Sequence, residues 1–121
     1  MIGLYDGQVV LVEVEWELES GEVRVVKRGH WSDVHTDQIC GVAWSNDGLV
    51  FATGANDNRV VTFEIPVGGT MGVQSSWEKK FEWVHDAAVK ALAFKSGKGG
   101  VLAAGSQSSL PFQYEACFGL F

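Results

Sequence analysis

The chain has 121 residues, of which 46% are apolar and 20% charged, and its formal charge is −6. That apolar share is enough for one packed domain, so the composition excludes a disordered tail. The negative charge argues against nucleic acid or an anionic membrane as a partner, because both would be repelled.

The opening MIGLYDGQVVLVEVEWE lacks a basic region and carries Asp6, Glu13 and Glu15, unlike a signal peptide. In QVVLVEVEWEL, Val10, Val12, Val14 and Trp16 alternate with Val9, Leu11, Glu13 and Glu15, the period of a strand. Glu13 and Glu15 read as an exposed strand face. Further strands are expected at EVRVV (22–26), ICGVAWS (39–45), LVFATGA (49–55), RVVTFEI (59–65), KKFEWV (79–84), VKALAF (89–94) and GVLAAG (100–105). Turn signals fall between them at Asp6-Gly7, Ser20-Gly21, Asn46-Asp47-Gly48, Asp57-Asn58, Pro66 to Gly72 and Ser96 to Gly100. No segment carries a convincing helical pattern, and no uncharged apolar run reaches the roughly 20 residues that span a bilayer. Cys40 and Cys117, set in apolar surroundings, suit a reducing compartment, and Cys40 reads as a small buried hydrophobe. A soluble intracellular protein is expected.

Three segments superimpose: IGLYDGQVVLVEV from position 2, TGANDNRVVTFEI from 53 and AGSQSSLPF from 104, with glycines at 3, 54 and 105, an interval of 51 each time. HTDQICGVAWSNDG from 35 and HDAAVKALAFKSGKG from 85 form a second matching pair. A unit of four short antiparallel strands, opened by His and carrying Asp in a later turn, is the pattern of a WD-repeat β-propeller blade, lengthened here by the loop around VGGTMGVQSS (67–76). The expected fold is therefore all-β, a partial propeller of about two blade equivalents: a half blade at 1–26, a full blade at 39–84, a half blade at 85–106 and a divergent tail at 107–121. Pro111 would interrupt a ladder in that tail.

In a WD unit, His35, Thr53 and Asp57 would form a structural hydrogen-bonded relay, with Phe63 in place of the Trp that normally completes it. No Ser or Cys nucleophile is placed to turn His35 and Asp57 into a catalytic pair. The second copy keeps His85 but has Ala104 where Thr53 stands, and no Asp at the later position. SGKGG (96–100) lacks the remaining residues of a phosphate loop. His30, His35, His85 and Cys40 lack metal-ligand spacing, so neither a metal nor a cofactor is expected. Trp16 and Trp44 read as packing residues.

HTDQICGVAWSNDGLVFATGANDN followed by HDAAVKALAFKSGKGGVLAAG resembles the fizzy family, the WD-repeat activators and substrate adaptors of the anaphase-promoting complex, a ubiquitin ligase. The opening GLYDGQVVLVEVEWE looks most like the fungal, meiosis-specific branch. The resemblance covers about residues 1–106. It implies a non-catalytic adaptor, found in nucleus and cytoplasm, whose partners are subunits of that complex and degron-bearing proteins. Carried over, Asn56 and Asn58 would contact a KEN-type degron on the top face while Asp57 braces their turn; read without the family, the asparagines simply tolerate left-handed geometry. Ser108 falls where the family often has Ser or Thr.

The chain departs from the family in having Ser96-Gly97 where Pro-Trp is usual. The amino-terminal docking segment, the carboxy-terminal Ile-Arg tail and the blades that frame the destruction-box groove are also missing from it, so independent activation of the ligase is not expected. A general WD-repeat scaffold without degron recognition is the alternative. Open blade edges lead further to an expectation of self-association.

Overall fold

The computed structural model describes residues 2–3, 5–65, 69, 73–95, 101–107 and 114–120. The loop positions 66–68 and 70–72, the SGKGG turn, Ser108 and Pro111 lie outside them. Ten strands are described: β1 Ile2–Gly3, β2 Val9–Trp16, β3 Val23–Trp31, β4 Ile39–Trp44, β5 Val50–Ala55, β6 Arg59–Glu64, β7 Glu78–Val84, β8 Val89–Phe94, β9 Val101–Gln107 and β10 Tyr114–Leu120. They form three antiparallel sheets in the orders β1-β2-β3, β4-β5-β6-β7 and β10-β9-β8. One short 3-10 turn, Gln74–Ser76, precedes β7.

The middle sheet lies between the other two, and its sequence shows why. Strand β5, VFATGA, is buried along its whole length, and β6, RVVTFE, at four of its six positions. Such near-continuous apolar runs are what strands covered on both faces require. On one side Phe51, Ala55, Val61, Phe63 and Ile65 meet Val9 and Leu11 of β2. On the other, Ala52 and Val60 meet Val89 of β8 with Leu102 and Ala104 of β9. The close approach of the second pair of sheets depends on Gly54, where a Cβ would come within 2.6 Å of Val89 Cγ1. Both clusters combine aliphatic and aromatic side chains, and burying each large apolar side chain contributes about 1.5–3 kcal/mol.

Several sequence expectations change in the structure. Strand β3 continues past position 26 to Trp31 because a bulge opposite Leu11 and Val12 lets the polar stretch KRGHW stay in register. Trp31 then packs against Phe51 and Phe63 at ring separations of 5.5 and 5.3 Å. At the other end, the segment after Ser106 supplies a third strand, β10, which starts three positions beyond Pro111 and pairs along its length with β9. Each terminal sheet thus has three strands.

Of the two faces of β2, Val9 and Leu11 turn inward, whereas Val14 and Trp16 are 60% and 68% exposed. Trp16 is therefore not a core residue: strand alternation puts it on the face of β2 opposite Val9 and Leu11. The opposite side of the same hairpin carries Glu13 paired with Arg28 at 2.7 Å, and Glu15 paired with Arg24. Trp44, in contrast, does pack, edge-on to Phe51 and Trp77.

Candidate functional site

The turn between β5 and β6 gathers most of the polar residues singled out in the sequence. Asn58 N–H closes it on the Ala55 carbonyl at 3.2 Å, and Asn58 itself sits at φ 70°. Asn occupies that left-handed region more readily than most residues. The equivalent turn in the first sheet holds Gly7 at φ 86°, 51 positions earlier, and a Cβ there would collide with the His35 carbonyl oxygen. The repeat is visible in the backbone links as well. His35 N–H donates to the Gly7 carbonyl at 3.2 Å, and His85 N–H donates to the Asn58 carbonyl at 2.6 Å. Each opening His is thereby tied to the tight turn of the preceding sheet.

The structure brings His35, Thr53 and Asp57 together. Nδ1 of His35 lies 3.1 Å from both carboxylate oxygens of Asp57, and Nε2 lies 2.7 Å from Thr53 Oγ1. A neutral ring satisfies both contacts if Nδ1–H donates to the carboxylate and the Thr53 hydroxyl donates to Nε2. Asp57 also accepts from the backbone N–H of Thr36 at 3.0 Å and of Arg59 at 3.1 Å. Its carboxylate is engaged by three internal donors, which leaves it little to offer a ligand. Phe63 stacks on Phe51 at 4.9 Å and belongs to the apolar core. In the third sheet, Ala104 is buried in the place of Thr53, and the buried Ser106 Oγ has no hydrogen-bond partner among the described residues. An orphaned buried hydroxyl costs about 1–3 kcal/mol, so this sheet is braced less well than the middle one.

Burial holds the pKa of His35 below its ordinary value, against the pull of the Asp57 carboxylate in the opposite direction. The unfolded chain therefore binds the proton more readily than the folded one. The resulting stability is fully present above the unfolded value of about 6.5 and is lost as pH falls toward the folded value. Urea midpoints should accordingly decline between pH 7.5 and 5.5, and His35→Gln should flatten that decline. An unchanged slope in the variant would assign the titration elsewhere.

Asn56 occupies a different position from Asp57. Its backbone N–H donates to the Gln38 carbonyl at 2.9 Å, and its side-chain Oδ1 accepts from Lys90 Nζ at 2.7 Å and from Cys40 Sγ at 3.1 Å. Lys90 belongs to β8 of the next sheet, so this contact crosses between sheets. Cys40 is exposed, contrary to the buried reading of its sequence surroundings. A register shift between Ile39 and Gly41 turns Ile39 into the core and Cys40 out beside Asn56. Spacing alone gave no sign of Lys90, because it reaches the turn only through the stacking of two sheets. Among the described residues no group of His, Cys, Asp and Glu could hold a metal ion, and no helix is long and apolar enough to cross a membrane.

No family model matches the chain. Meiotic fizzy-related protein 2 of Schizosaccharomyces pombe is 46% identical over 76 residues, which are 63% of this chain and 13% of that protein. WD repeat-containing protein slp1 of the same organism is 38% identical over 71 residues, 59% of the chain and 13% of slp1. APC/C activator protein CDC20 of Saccharomyces cerevisiae is 33% identical over 91 residues, 74% of the chain and 13% of its own length. The chain thus spans about an eighth of these relatives. Among solved structures, the β-propeller domain of Myceliophteria thermophila Cps50 (Swd1) aligns with 97% of the chain and 33% of that domain, at a TM-score of 0.54 and 19% identity. The architecture is accordingly all-β, a partial propeller of the WD-repeat kind.

Proposed function

This chain carries fizzy-family WD-repeat sequence, and from that premise we propose that it is a non-catalytic substrate-adaptor segment that reads short degrons of the KEN type for the anaphase-promoting complex. One observation carries the reading. In the turn between β5 and β6, Asp57 is fully occupied by internal donors, while Asn56 and Asn58 flank it half-exposed. Bracing and recognition are thereby divided among three consecutive residues. The proposed partners are subunits of the complex and degron-bearing cell-cycle or meiotic proteins. Self-association is also part of the proposal. Among the described residues no strand pairs with the outer edge of β1 or β10, and exposed edges of this kind recruit further strands.

The test is titration of the full chain with a labelled KEN-type peptide, beside Asn56→Ala/Asn58→Gly. Glycine keeps the left-handed turn, so the double variant should fold while losing saturable binding by at least about tenfold. Undiminished binding, or binding of unrelated partner proteins only, would favour a general scaffold instead.

A further inference from the structure

We propose that Lys90 is a positioning and specificity residue of this turn: it fixes which end of the Asn56 amide faces outward and gives the site a preference for a peptide carboxylate. The inference rests on the reading of the turn as a peptide-binding element and deepens it.

An ammonium group donates and cannot accept. With Lys90 Nζ at 2.7 Å, the amide of Asn56 must turn its oxygen toward β8, because the reverse orientation would set NH2 against NH3+. The Cys40 thiol, 3.1 Å from the same oxygen, is compatible with this choice, since its S–H can donate to it. Asn56 Nδ2 has no partner among the described residues. It therefore presents two N–H donors outward, beside an exposed lysine that carries a full positive charge.

The neighbouring Asp57 does not offset this arrangement. The Asp57 carboxylate is turned inward to His35 and to the N–H groups of Thr36 and Arg59. Donors and a cation on one small surface complement a carboxylate, for which charge-assisted hydrogen bonds are roughly twice as strong as neutral ones. A carboxamide of the same shape offers these donors one accepting oxygen instead of two, and no charge. The chain's overall charge of −6 makes a local cationic contact more selective, since an acidic peptide is repelled elsewhere on the surface.

Two measurements test this, both on the full chain. In the first, the labelled KEN-type peptide is compared with its Glu→Gln counterpart. Wild-type protein should bind the carboxylate peptide about tenfold more tightly, Lys90→Met should bind both within about threefold, and Lys90→Arg should restore the preference. Equal binding of the two peptides by wild-type protein, or a preference retained in Lys90→Met, overturns the inference but leaves degron reading intact. No binding of either peptide by folded wild-type protein overturns degron reading and with it the inference. The second measurement needs no peptide. The side-chain NH2 resonances of Asn56 should move in Lys90→Met, and unmoved resonances overturn the positioning role.

Discussion

Asp57→Ala should lower the free energy of unfolding by about 3 kcal/mol, as read from urea denaturation at neutral pH. The substitution strips three donors of their acceptor: His35 Nδ1, Thr36 N and Arg59 N. They do not lose equally. Thr36 and Arg59 are exposed and can turn to water, whereas the His35 side chain is fully enclosed. A buried donor left alone bears its whole desolvation penalty, about 1–3 kcal/mol, and a hydrogen bond to a charged group contributes about 1.5–3 kcal/mol. The terms overlap, since both describe the same His35 contact, so their sum is an upper bound. Asp57→Asn retains one acceptor oxygen and should cost markedly less. Because Asn56 and Asn58 hang on the same turn, Asp57→Ala should also weaken peptide binding under conditions where the chain is still folded. A loss below about 1 kcal/mol would mean that the relay contributes little and that packing alone holds the turn.

The middle blade was legible in the sequence because two independent signals agree on it. Valine, isoleucine and aromatic residues at strand spacing mark β4 to β7, and the interval of 51 residues aligns their turns with those of the neighbouring units. The relay was legible for the same reason: His35, Thr53 and Asp57 occupy fixed places in the repeat, and a repeat places residues in space as well as in sequence. What escaped the reading lies where one strand slips against another or one sheet meets the next. The bulge in β3 carries Trp31 into the core from a stretch, KRGHW, that is polar on its face. The shift at Ile39 to Gly41 exposes Cys40, although its neighbours suggest burial. Strand β10 was hidden because the repeat motif ends before it, while backbone pairing with β9 needs only an extended chain. Lys90 meets Asn56 across 34 positions, and only the stacking of β8 beside β4 brings them together.

The largest effect is expected from Phe51→Ala, about 4 kcal/mol, within the range of 3–5 kcal/mol for removal of a buried phenyl ring. Phe51 is fully buried, and four aromatic rings surround it: Phe63 at 4.9 Å, Trp77 at 5.1 Å, Trp44 at 5.4 Å and Trp31 at 5.5 Å. These rings come from different elements. Trp31 lies on β3 of the first sheet, Trp44 on β4, Phe63 on β6, and Trp77 just before β7. Removing Phe51 therefore opens a cavity that no single neighbour can close, since each is held by a different segment of the chain. A domain of this size is stable by only about 5–15 kcal/mol, so one substitution should remove a large share of the total. Three tryptophans line the cavity, which gives a direct readout: their near-ultraviolet dichroism should weaken in Phe51→Ala even where far-ultraviolet strand signal persists. Phe94→Ala provides the comparison, because Phe94 is only partly buried and packs at the edge of the second cluster. It should cost appreciably less. Equal losses for the two variants would show that the first two sheets are not joined through the aromatic cluster, and would shift the main source of stability to the Val89 and Leu102 side of the middle blade.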